Sequence, residues 1–227
     1  MNEHTCPPDE VVDPAVLNND GVTKLLMGQG VEAVLAFKRA LIALKTSLVQ
    51  IPDHTQRQVA TSPNVMYVSV GLPVCEERYY IFSRAWIFPP IETGMAEKMF
   101  PLHSSLILFN IGLAYHIRSL EGSNGRLLRD AYYFYTVSLQ LLSSVPTDVS
   151  EHVIAPLELA CQNNLAIVHY ERGDAREAHS ILKSAFARLT STMNHFDEDD
   201  DTFDDEVFDG ITLNALMVKW TYGAPCA

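Results

Sequence analysis

The chain has 227 residues, room for one or two ordinary domains, and 48% of them are hydrophobic, enough for a continuous core. A net charge of −12 repels phosphate backbones, so nucleic acid is not an expected partner, whereas basic peptides or basic protein faces are compatible with it. No apolar run reaches about 18 residues, so no membrane span is expected. Cys6, Cys75, Cys161 and Cys226 form no CxxC pair and read as free thiols rather than a zinc site or disulfide framework. Residues 1–10 are polar and lack both the basic start and the apolar core of a signal peptide. The expected compartment is cytoplasmic or nuclear.

In chain order, residues 1–13 carry Pro7, Pro8 and several acids and read as a flexible lead. Asp13-Pro14 is a helix start, an N-cap acid followed by proline in the first turn. The first helix is expected from Pro14 to Met27 and is broken by Gly28-Gln29-Gly30. The second is expected from Val31 to Val49, with Val34, Phe37, Leu41 and Leu44 on one stripe. From Met66 to Leu72 apolar and other residues alternate, which predicts a strand. Pro73 to Glu77 reads as a turn, and Tyr79 to Phe88 (YYIFSRAWIF) as a second strand. Together they predict a hairpin over about 65–88 that must pack on helices, because an isolated hairpin is marginal in water. Its aromatic residues favour a buried brace, with a lid or a pairing edge as the alternatives.

Three more helices are expected from His103 to Leu120, Arg126 to Ser144 and Ser150 to Arg172, with a loop over Glu121–Gly125. A sixth runs from Ala175 to Met193 after the tight turn Gly173-Asp174. Residues 197–206 form an acidic linker. As a calcium loop it fails, with Thr202 where glycine is needed and Phe208 where a glutamate is needed. A final helix is expected over 208–220, capping the apolar end of the helical stack.

One frame recurs along the chain. Gly21, Ala33, Phe37 and Ala40 are spaced 12, 4 and 3 apart, as are Ala166, Ala178, Leu182 and Ala185. Gly112, Ala131, Tyr135 and Ser138 are spaced 19, 4 and 3 apart, which suggests a middle turn stretched by seven residues. Small residues at these positions let two antiparallel helices pack closely, and repeated helix pairs make a solenoid. The run from Asn163 to Ala178 (NNLAIVHYERGDAREA) resembles a tetratricopeptide repeat, closest in pattern to repeats of the kinesin-light-chain type. The match lies at Leu165-Ala166, Gly173, Ala178, Leu182 and Ala185, with His169 in place of the usual tyrosine. The resemblance implies a mainly α, α-α superhelical solenoid of three irregular pairs (about 14–49, 103–144 and 150–193) plus the cap helix, as one domain over 14–227. It implies no enzymatic activity and a protein or peptide partner.

An Asn stands two places before each small leading residue: Asn19, Asn110 and Asn164. Two residues are about 200° round a helix, so these amides turn away from the partner helix and form one exposed ridge. Each carboxamide offers an acceptor and two donors, matching the N–H and C=O of an extended peptide. The expected groove comprises Asn18, Asn19, Val22, Phe109, Asn110, Leu113, His116, Asn163, Asn164, Ile167 and Tyr170. The alternative is that each Asn bonds to the next repeat and only stabilises stacking. The family's mode of clamping a terminal carboxylate with cations is not expected, since Asn18, Val22, Ala160 and Asn164 stand where most of those residues would be. No catalytic constellation, metal-ligand set or nucleotide motif is present, so no cofactor is expected. The favoured function is a protein-interaction adaptor or scaffold. A structural subunit of a larger assembly, using the hairpin and the solenoid ends, is the alternative; an enzyme with its site between hairpin and groove is a third.

Overall fold

The computed structural model describes residues 12–49, 65–70, 79–91, 96–122, 124–146, 149, 151–193 and 209–216. It is mainly helical with one small antiparallel sheet: α1 (Pro14–Leu26), α2 (Gly30–Val49), β1 (Met66–Ser69), β2 (Arg84–Ile87), α3 (Ala96–Gly122), α4 (Gly125–Leu142), α5 (Glu151–Glu171), α6 (Ala175–Met193) and α7 (209–216). The lead up to residue 11, the 73–77 turn, the acidic stretch 197–206, residues 217–220 of the expected last helix, and Cys6, Cys75 and Cys226 lie outside the described residues. Among the described residues no helix is long and apolar enough to cross a membrane.

The helix ends follow from the residues that make them. The Asp13 carboxylate accepts from the Ala15 N–H at 2.8 Å, capping α1 ahead of Pro14. Gly28 and Gly173 take φ of +73° and +84°. At both sites the two N–H groups from the glycine onward close back on the helix: Gly28 to Leu25 and Gln29 to Lys24, then Gly173 to Tyr170 and Asp174 to His169. This left-handed cap turns α1 into α2 and α5 into α6 by one device, and only glycine adopts it without strain.

The recurring frame is a packing frame. A Cβ on Gly21 would come within 2.5 Å of the Phe37 ring, and one on Gly112 within 2.9 Å of Tyr135. Ala166, Ala178 and Leu182 make the same contact in the third pair. The middle pair corrects the expectation of a stretched turn. Between Gly112 and Ala131 only residues 123–124 separate the two helices, and the seven extra residues are helical, lengthening the end of α3 and the start of α4. The loop expected over Glu121–Gly125 is shortened because Asn124 caps α4, its carboxamide accepting from the Arg126 N–H at 3.0 Å.

The third helix also begins earlier than expected, at Ala96 rather than His103, with Pro101 inside it. Pro101 is the sixth residue of the helix and has no N–H to give the Glu97 carbonyl; burial of Met99 and Leu102 on either side of it holds the extra turns. Each helix from α1 to α6 packs on its neighbours in sequence, and α3 also touches both α1 and α5 directly. The two strands are shorter than expected. Met66 pairs with Ile87, Tyr67 with Trp86, Val68 with Ala85 and Ser69 with Arg84. Strand β2 lies across α1 and α3.

Candidate functional site

Six Asn side chains of α1, α3, α5 and α7 converge on one extended stretch of the chain, residues 80–88. Asn110 pairs with Trp86 as a neighbouring strand would: its Oδ1 accepts from the Trp86 N–H at 2.8 Å, and its Nδ2 donates to the Trp86 C=O at 2.7 Å. Asn18 donates to the same carbonyl at 2.9 Å, and its own Oδ1 accepts from Asn110 at 3.0 Å. At the other end the arrangement repeats. Asn214 accepts from the Tyr80 N–H at 2.9 Å and donates to its C=O at 2.6 Å. Asn163 donates to that carbonyl at 3.1 Å and accepts from Asn214 at 2.8 Å. Between them Asn164 grips Phe82 at both N–H (2.8 Å) and C=O (3.0 Å). Asn19 donates to the Phe88 C=O at 3.1 Å.

The spacing has a geometric cause. A strand rises about 3.3 Å per residue, so six residues span about 20 Å; two steps between packed helices at 8–10 Å each cover roughly the same distance. Backbone groups of a strand face one edge only at every second residue. Three residues per helix step and a period of two come back into register after six residues, which is two steps. Tyr80 and Trp86 are therefore equivalent, as are Phe82 and Phe88. The sequence alternates accordingly: doubled Asn on α1 and α5 (Asn18-Asn19, Asn163-Asn164), single Asn on α3 and α7 (Asn110, Asn214). The opposite edge of the stretch faces β1, where the Val70 N–H donates to the Ser83 C=O at 2.8 Å.

The expected groove residues divide into two groups. Asn18, Asn19, Asn110, Asn163 and Asn164 bond the stretch directly. Phe109 meets the Phe82 ring edge-on at 6.0 Å, and Tyr170 packs on Tyr79 at 4.6 Å. Val22, Leu113, His116 and Ile167 are buried at 2% exposure or less and line no open surface. The expectation of an exposed amide ridge is corrected: Asn18, Asn110, Asn163 and Asn164 are fully buried, because the chain's own aromatic stretch covers them. Asn214 echoes the frame in the sequence but stands outside the expected groove; its place two residues before Leu216 is the signal for it.

All four bonded residues are aromatic. Phe82 and Trp86 stack at 6.2 Å with Tyr67 edge-on to both, Phe88 stacks on His103 at 4.7 Å, and Tyr80 sits where any Cβ on Gly210 would fall. Behind them, Asn164 also donates to the Tyr135 hydroxyl at 3.1 Å, which lies 3.4 Å from His116 Nδ1. Burial holds the His103 and His116 imidazoles neutral, pushing both down to about 4, although the Glu171 carboxylate stands 3.9 Å from His116 Nε2. Burial also raises the Glu171 carboxyl, the Tyr135 hydroxyl and the Cys161 thiol, the last to about 12. Among the described residues no group of three or more His, Cys, Asp or Glu is placed to hold a metal ion.

Two surface recesses, of about 330 Å³ beside Ser119 and Glu171 and about 530 Å³ beside Leu142 and Arg188, lie away from the amide row. No known family model, curated protein or solved structure matches this chain.

Proposed function

We propose that this protein is a non-enzymatic adaptor of the tetratricopeptide type. In this reading it is a solenoid of three irregular helix pairs capped by α7, and it engages an extended segment of a partner protein between α1, α3, α5 and α7. One observation carries the reading: four helices each present an Asn whose carboxamide pairs with the backbone of an extended chain, and such pairing does not depend on the ligand's side chains. The −12 charge favours a basic partner in the cytoplasm or nucleus. Nucleic acid, membrane and cofactors have no place in it.

The test is crosslinking of the full chain to its partners in cells. Crosslinks from an extended partner segment to α1, α3 and α5 beside the 80–88 stretch support the adaptor. Crosslinks confined to the outer faces of α2, α4 and α6 reject it.

A second reading is favoured by a specific feature. Val16, Val31, Leu35 and Ile42 on the first helix pair, and Leu213 and Leu216 on α7, are each at least half exposed. Apolar groups at both ends of the helical row suit a structural subunit in a larger assembly. Sedimentation separates the two: a clean monomer favours the adaptor, an obligate oligomer the subunit.

A further inference from the structure

We infer that residues 80–88 are a built-in competitor for the channel, and that its external ligands are extended segments with apolar or aromatic residues at positions x, x+2, x+6 and x+8. This rests on the adaptor reading and deepens it. The resident stretch supplies the template. Its backbone is gripped at Tyr80, Phe82, Trp86 and Phe88, and N–H donation is used at the first three. A ligand therefore tolerates no proline at x, x+2 or x+6, since proline has no N–H to give. It must also run from α7 toward α1, opposite to the order of the helices in the chain.

Two observations make the occupant separable in principle from the fold. The stretch is no part of the recurring helix frame: it belongs to the insertion between α2 and α3, and the frame contacts Gly21–Phe37, Gly112–Tyr135 and Ala166–Ala178–Leu182 include none of its residues. Among the described residues, the hydrogen bonds that these six Asn side chains make to it end on backbone atoms, so a second extended chain can replace each one in kind. A ligand that needs the vacated channel binds more weakly by the fraction of molecules in which the channel is open.

The probe is a fluorescent peptide of this chain's own sequence from Tyr79 to Phe88, with a solubilising tag. The receptors are the full chain and the full-length double variant Phe82→Pro, Trp86→Pro, which cannot hold its own strand. The expected result is binding to the variant and at least tenfold weaker binding to the unaltered chain. A peptide carrying proline at the Phe82 and Trp86 positions should bind neither. Hydrogen exchange of the unaltered chain supplies the independent measurement. The Phe82 and Trp86 amides should exchange by local opening, faster than the Ile111 amide in the middle of α3, and their opening constant should equal the ratio of the two affinities. Equal affinity for both receptors overturns the competitor while sparing the adaptor. No binding to a folded double variant overturns both. If the variant does not fold, exchange alone decides: Phe82 and Trp86 amides that open only with Ile111 make the strand a permanent brace and overturn the inference.

Discussion

Asparagine is the only short side chain that copies the backbone's own hydrogen-bonding edge, with a carbonyl oxygen and an N–H donor fixed in one plane. At Asn110 both halves are used, and the site is fully buried, so water cannot stand in for either. Asn110→Ala orphans the Trp86 N–H and the Asn18 Oδ1, and at about 1–3 kcal/mol for each buried group left unpaired it is expected to cost about 2–6 kcal/mol. Asn110→Asp should be worse than alanine, because it sets an acceptor-only carboxylate against the Trp86 carbonyl. Asn19 donates one half-buried bond to the Phe88 carbonyl and accepts a longer one, 3.2 Å, from Asn18, which keeps its bond to Trp86, so Asn19→Ala should cost only about 1 kcal/mol. Urea unfolding of the three variants measures the order. If Asn110→Ala is as mild as Asn19→Ala, the amide row is not holding the strand.

At the scale of elements, helix–helix closeness sets the sharpest expectation. Gly21→Ala pushes a methyl to 2.5 Å from the Phe37 ring and Gly112→Ala to 2.9 Å from Tyr135, and such overpacking costs about 1–3 kcal/mol. Gly122 at the end of α3 has open space around its missing Cβ, so Gly122→Ala should be neutral or slightly stabilising. Thermal melts of the three variants check the contrast. The same contacts explain what the sequence discloses. The spacing of Gly21, Ala33, Phe37 and Ala40 is local and periodic, so it marks the helix pairs and their turns within a few residues. The Asn positions are equally legible, and so is their chemistry. Their occupant is not. Trp86 reaches Asn18 across 68 residues, Phe82 reaches Asn164 across 82, and Tyr80 reaches Asn214 across 134. No local pattern reports a pairing at such separations. The aromatic run YYIFSRAWIF reads as half of a hairpin because aromatic and β-branched content identifies an extended chain, not what lies along its second edge. The seven extra residues of the middle pair mislead for a different reason: Gly122 and Gly125 are turn residues by propensity, yet they are the last residue of α3 and the first of α4, where the Asn124 cap starts the second helix at once.

For the whole molecule, the buried imidazoles tie stability to pH. His103 stacks on Phe88, and His116 reaches Phe82 through Tyr135 and Asn164, so both adjoin the strand-bearing core. Each has its pKa lowered from 6.5 to about 4 in the folded chain. Between those values the unfolded chain binds the proton and the folded chain does not, so stability falls as pH drops from about 6.5 toward about 4. The slope is about 1.4 kcal/mol per pH unit for each histidine. Glu171, which faces His116, works in the opposite direction. Burial raises its pKa above 4.5, so the folded chain takes up its proton first and gains stability as pH falls through the raised value. With two histidines against one carboxyl, the net expectation is a melting temperature that is level above pH 6.5 and declines below it. His116→Gln, which keeps a neutral polar side chain in place, should remove about half of the histidine slope. Melts of the parent and of His116→Gln at pH 7, 6 and 5 provide the measurement. Because the imidazoles back the channel, the Phe82 and Trp86 amides should be the first core amides to speed up in hydrogen exchange on acidification. A parent whose melting temperature stays level from pH 7 to 5 would mean that His103 and His116 accept protons without leaving the core.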